Sequence, residues 1–148
     1  MRFMLAQVLH QCKPVSQKPL VLSELDKPVA GDGEVLIKVQ ACGICRTDLH
    51  VVEGELDEAR YRFPVIPGHQ VVGTIASASP GSGIQAGQRV GVSWLNRTCG
   101  HCRFCLSHRE NLCEKPEFTG WTRNGGFAEY VTAPAAFRSE EHTSELQS

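Results

Sequence analysis

The chain reads as a mainly β protein, a barrel or sandwich carrying a metal-binding lobe, and three observations predict this. Five short apolar runs have strand character, over residues 3–9, 34–40, 71–76, 88–94 and 127–132. Proline and glycine punctuate the gaps between them, at Lys27-Pro28, Gly31-Asp32-Gly33, Pro64, Pro67-Gly68, Pro80-Gly81-Ser82-Gly83 and Gly125-Gly126. Finally, Cys99, Cys102, Cys105 and Cys113 stand at the spacing C-x2-C-x2-C-x7-C, within fifteen residues. Four thiolates complete a tetrahedron around a soft dication such as zinc and leave no position open.

The run at 3–9 is apolar and partly alternating, and the V-L-I-K-V of 34–40 is the clearest strand. Brief helices are expected around residues 46–52 and 103–108. At 148 residues, 41% of them hydrophobic, the chain can bury one core but hardly two. A net charge of −1 with no block of like charge gives no sign of a nucleic-acid partner, and none is expected. The apolar run at the N-terminus is too short for a signal peptide, and no stretch nears the roughly 20 apolar residues that span a bilayer. No membrane partner and a cytoplasmic location are expected. That compartment keeps thiols reduced, so the clustered cysteines read as metal ligands rather than disulfides. Cys12 and Cys42 read as small buried apolar residues.

Two further segments carry chemistry-bearing residues. Cys42-Gly43-Ile44-Cys45-Arg46-Thr47-Asp48-Leu49-His50 follows a strand, and Pro67-Gly68-His69-Gln70-Val71-Val72-Gly73 comes later. Alone, C-G-x-C fits a redox pair or half a zinc knuckle. Thr47 or Asp48 fits a helix N-cap, His50 an exposed helix position and Arg46 a surface charge. Trp94 fits either a pocket wall or the core. Taken in order with the four-cysteine lobe, however, the set resembles the zinc-dependent alcohol dehydrogenases of the medium-chain dehydrogenase/reductase family. The resemblance covers residues 1–137 and includes Gly87-Gln88-Arg89-Val90-Gly91-Val92 and Gly125-Gly126-Phe127-Ala128-Glu129-Tyr130.

The resemblance implies a GroES-like, partly open β-barrel with a structural zinc lobe. It implies that Cys45 and His69 are two of three protein ligands of a catalytic zinc, and that Asp48 orients the histidine. Thr47 would take the alcohol proton and His50 would pass it outward, a task suited to a group titrating near neutrality. Arg46 would meet the phosphates of NAD or NADP. The substrate would be a small alcohol, or its aldehyde or ketone, and the whole enzyme a homo-oligomer. His10, His101 and His108 carry no role in this scheme; four thiolates already fill the lobe around His101.

Departures from the family pattern qualify this. The usual Gly-His-Glu reads Gly68-His69-Gln70, and neutral Gln70 beside the zinc can only hydrogen-bond. No third catalytic ligand has a matching position before Phe137, and no G-x-G-x-x-G follows a strand to open a Rossmann helix. The stretch Arg138-Ser139-Glu140-Glu141-His142-Thr143-Ser144-Glu145-Leu146-Gln147-Ser148 matches one reading frame of a common sequencing-library adaptor. Residues 138–148 are therefore expected to be a non-native tail after a truncated domain of residues 1–137, inactive alone. A different class, a non-enzymatic four-cysteine module, echoes the C-x2-C-x2-C of iron–sulfur ferredoxins. Its fourth cysteine, Cys113, comes after seven residues and precedes Glu114 rather than proline. A zinc-free quinone reductase of the same superfamily would not need all six ligand-type residues.

Overall fold

The computed structural model describes residues 2–140. Nine strands and two short helices follow one another: β1 (Phe3–Leu9), β2 (Leu20–Asp26), β3 (Glu34–Gly43), α1 (Arg46–Glu53), β4 (Gln70–Ala78), β5 (Arg89–Val92), β6 (Leu95–Arg97), α2 (Arg103–Leu106), β7 (Glu117–Phe118), β8 (Tyr130–Pro134) and β9 (Arg138–Glu140). Five form one antiparallel sheet in the order β8-β3-β4-β5-β9, while β1-β2 and β6-β7 pair separately. The large sheet does not close: among the described residues β8 and β9 are its edges. This is the partly open, mainly β architecture that the sequence implied.

Alternation explains why β3 and β4 sit at the centre. Val35, Ile37, Val71, Ile75, Val90, Val92, Val131 and Ala133 point to one side and make a core of nearly inaccessible, mostly β-branched residues. Truncating Ile37 there would cost about 2–5 kcal/mol. The β3–β4 ladder shifts register at Leu36/Ile37 and again at Val39/Ala41, and such bulges bend and twist the strand. Gly73 lies across from the second: a Cβ there would stand 2.2 Å from the Lys38 carbonyl oxygen. The bend delivers the end of β3 and the start of α1 to the site.

The β1–β2 hairpin is stitched to the barrel through main-chain bonds. Leu9 and Val65 exchange N–H···O bonds of 2.8 and 3.0 Å, Gln7 donates to Phe127 and Glu129 donates to Leu5. Those last bonds explain why β8 begins at Tyr130 rather than Phe127 as expected: the preceding three residues reach toward β1. Of the other expected elements, β3, β4 and α1 run longer and β5 shorter. Helix α2 stops at Leu106, before the left-handed backbone of His108 (φ +57°). Arg138–Glu140, assigned above to the tail, form β9 against β5. A strand ladder is made by backbone groups, so pairing says nothing of the segment's origin. The remaining tail, residues 141–148, lies outside the described residues. No described helix is long and apolar enough to cross a membrane.

Candidate active site and metal centres

Cys45 ends the β3–α1 turn in an extended conformation (φ −131°, ψ 179°), which makes it the N-cap of α1. Its backbone N–H donates to Asp48 Oδ2 at 2.9 Å, so the carboxylate satisfies a donor at the helix start. Asp48 is buried, and its Oδ1 accepts at 3.1 Å from His69 Nδ1. That bond fixes the imidazole with its proton on Nδ1 and a lone pair on Nε2. Nε2 lies 3.2 Å from Cys45 Sγ. The N-cap is thus Cys45, not Thr47 or Asp48 as the sequence offered; Asp48 instead closes the capping box from the third helical position while orienting His69.

Cys45, Asp48 and His69 each offer a ligand atom within 4.8 Å of the others. Both Asp48 oxygens are already engaged, which leaves the sulfur and Nε2 as the pair free to bind. Zinc bonds of ordinary length at a tetrahedral angle would set S and N about 3.6 Å apart, so the observed pair needs little movement to close on the ion.

A loop from a distant part of the chain holds His69 in place. Gly125 N–H donates to Ile66 O, Gly126 to Gly68 O and Phe127 to Pro67 O, at 2.6, 2.8 and 3.0 Å. Asn124 Oδ1 accepts from Ile66 N–H. A Cβ on Gly125 would stand 2.0 Å from the Gly68 carbonyl oxygen, so no other residue fits. The loop is tethered further by Arg123, which with Arg97 pairs the buried carboxylate of Glu34; both guanidiniums also approach Glu117. Neither this clamp nor the Glu34 cluster was foreseen as part of the site. The Gly125-Gly126 pair was its only visible trace.

Beside His69 opens a cleft of about 580 Å³ lined in part by Gln70, Val72, Gly91, Ser93 and Trp94. Trp94 meets the His69 ring edge-on, 5.0 Å between centroids, and stacks in parallel on Trp121 at 5.9 Å. Phe118 stacks on both indoles, and the Arg60 guanidinium covers Phe118 and Trp121. Trp94 is thus both pocket wall and core.

The other expected site residues separate. Arg46 is exposed at the first position of α1, with Thr47 half-buried beside it. Thr47 and His50 are three residues apart on α1, the spacing that puts side chains on one helix face. His50 Nδ1 bonds Glu55. Gln70 is exposed and opposes Gly43 in the β3–β4 ladder, its Oε1 over that glycine, where a Cβ would come within 2.5 Å.

The lobe brings its four sulfurs together within 4.8 Å of one another. Cys99 Sγ and Cys102 Sγ lie 3.9 and 3.5 Å from Cys105 Sγ, against about 3.8 Å in a regular zinc tetrathiolate. All four are free thiols, and backbone N–H groups point at the sulfurs: Cys102 to Cys99, and both Cys99 and Lys115 to Cys113. Backbone N–H groups of Cys105 and Glu114 hold the Cys102 thiol down to about 6. Burial pushes Cys105 up to about 11. For Cys113 burial works upward, but the N–H groups of Cys99 and Lys115 outweigh it and the thiol is lowered. The lowered Cys102 and Cys113 thiols suit a soft metal. His101 is exposed and its Nδ1 donates to Cys99 O at 2.8 Å, away from the cluster; His10 and His108 are also exposed. Cys12 and Cys42 are half-buried rather than buried: Cys12 packs on Gly54, Cys42 beside Gly68 and Gly126. Burial raises both thiols, Cys42 to about 11.

A family profile described as "Alcohol dehydrogenase GroES-like domain" matches residues 31–140. The chain belongs to this family. An alcohol dehydrogenase of Geobacillus stearothermophilus is 44% identical to this GroES-like domain over 135 residues, which are 90% of this chain and 39% of that one. A thermostable alcohol dehydrogenase from Pyrobaculum aerophilum with cobalt and zinc bound superposes with a TM-score of 0.83 at 33% identity, covering 95% of this chain and 42% of the other. A dehydrogenase from Sinorhizobium meliloti 1021, assigned as zinc-binding and bound to NADP, gives 0.83 and 33%, covering 97% and 40%. The chain thus spans about two fifths of the length of these relatives.

Proposed function

We propose that this domain supplies the alcohol-binding half of a zinc- and NAD(P)-dependent alcohol dehydrogenase. The observation that carries this reading is the chain of bonds from Cys45 N–H through Asp48 to His69 and on to Cys45 Sγ. It holds one cysteine sulfur and one imidazole lone pair convergent beside an open cleft. Cys45 and His69 would hold the catalytic zinc, with the rest of its coordination supplied from outside the pair, and Cys99, Cys102, Cys105 and Cys113 a structural one. Zinc supplies Lewis acidity, lowering the pKa of an alcohol oxygen.

The residues then divide the remaining work. Trp94 and the cleft wall orient the carbon skeleton and keep water off it. Thr47 would take the hydroxyl proton and His50 would carry it to solvent; NAD or NADP, when bound, would supply the hydride acceptor as an alcohol becomes an aldehyde or ketone. Arg46 offers its exposed guanidinium to the coenzyme's phosphates. Gln70, turned toward Gly43, contributes a neutral amide and no charge. By itself the chain turns over no alcohol, because two side chains hold only half of the catalytic tetrahedron.

Cobalt substitution with a chimera tests this. Visible spectra of the cobalt-loaded chain should show a tetrathiolate site that survives Cys45→Ser and a weaker site that does not. Joined to the coenzyme-binding part of the Geobacillus relative, the domain should reduce NAD in the presence of alcohols, and Cys45→Ser or His69→Ala should abolish this. A chimera with both metals bound and no turnover would overturn the reading.

A further inference from the structure

We infer that Glu55 is a positioning residue for His50: it accepts the Nδ1 proton and leaves Nε2 bare as the proton acceptor. The inference deepens the reading above and rests on it for the meaning of the proton path, though not for the geometry.

Helix α1 ends at Gly54, whose left-handed backbone (φ +79°) lets the chain reverse. The reversal folds residue 55 back onto the last turn, where Glu55 N–H donates to His50 O at 2.9 Å. The Gly54 N–H also donates to that carbonyl, and Tyr61 Oη donates to the neighbouring Val51 O at 2.8 Å. With the backbone pinned at both ends, the Glu55 carboxylate meets His50 Nδ1.

The pair is open to solvent, with His50 34% and Glu55 52% exposed, so it adds little to stability. Its consequence is orientation. An unconstrained neutral imidazole carries its proton mainly on Nε2, the wrong nitrogen for a ring that must take a proton there. A carboxylate on Nδ1 inverts this preference. Asp48 imposes the same arrangement on His69 in the core. The molecule therefore uses one device twice, once buried to aim a ligand and once exposed to aim a base.

Long-range proton–nitrogen spectra of the chain with labelled histidine, taken where the rings are neutral, read the tautomer directly. His50 should carry its proton on Nδ1, as His69 does. Glu55→Leu should invert His50 to mainly Nε2–H and leave His69 unchanged. Glu55→Gln, which keeps an oxygen acceptor of the same reach, should retain mainly Nδ1–H. An Nε2-protonated His50 in the unmodified chain, or a His50 pattern unmoved by Glu55→Leu, would overturn the assignment. These spectra need neither metal nor turnover. An inactive chimera would sink the dehydrogenase reading and leave the tautomer result standing, and the reverse outcome would do the opposite.

Discussion

The two clusters of potential ligands differ in how they are closed. The four-cysteine lobe takes its sulfurs from residues 99–113, and its geometry comes from local turns, a one-turn helix and N–H groups within residues 99–115. Cys45 and His69 lie 24 positions apart. Their meeting depends on two bulges in the β3–β4 ladder, the N-terminus of α1 and the 124–127 loop pressing on Gly68. A locally closed site can form before the fold does; a tertiary one is a readout of the fold. That asymmetry leaves the lobe's ligand geometry to its own segment, while the other cluster is sensitive to any shift in the sheet.

The largest effect that would break the comparison is loss of a lobe sulfur. Structural zinc in such sites is worth about 10–16 kcal/mol of apparent binding free energy. Cys105→Ser should therefore abolish the tightest equivalent in a zinc titration followed by calorimetry, while the sheet stays folded by circular dichroism. Loss of the sheet as well would show that the two regions are not separable. Next comes the clamp. Gly125→Ala forces a methyl onto the Gly68 carbonyl and should cost about 3 kcal/mol in urea unfolding. The lobe should keep its metal in that variant while the Cys45–His69 site loses its own. A smaller change follows from Asp48→Asn, which removes the charge behind one buried and one part-buried hydrogen bond. We expect a loss of about 1–3 kcal/mol in stability and a 10–100-fold fall in zinc affinity at Cys45 and His69, with the lobe's affinity unchanged.

The smallest effect is one of pH, and its sign follows from the thiols. Cys102 is held near 6 in the folded chain against 9 for an ordinary thiol. The metal-free fold gains stability from it in full above pH 9 and loses it as pH falls through 6. Cys105 and Cys42, raised to about 11, act oppositely: their contribution is present below pH 9 and lost as pH rises through 11. Pulsed alkylation of metal-free chain at pH 7.5, read by peptide mass, should label Cys102 first and Cys42 among the last.

The same asymmetry governs what could be read from the chain. The lobe was legible because its spacing is its geometry, and β3 and β4 because V-L-I-K-V and its partner alternate around a real core. Cys45 and His69 were legible through short local motifs. What was not legible is non-local. That Gly125 exists to accommodate Gly68 cannot be seen from positions 57 residues apart, nor that Arg97 and Arg123 converge on Glu34. Strand β2 escaped notice because Val21 and Leu22 face outward, so its apolar residues do not alternate with the core. Strands β6 and β7 are too short to leave a period at all.

The chain has two tryptophans, and both lie in the stack beside His69. Their rings are parallel to within 3° at 5.9 Å, close enough for their transition dipoles to couple. All indole absorption and emission of this chain therefore originates in a stack whose nearer ring lies 5.0 Å from the imidazole. The domain carries its own optical probe, aimed at the place where an ion or an alcohol would arrive.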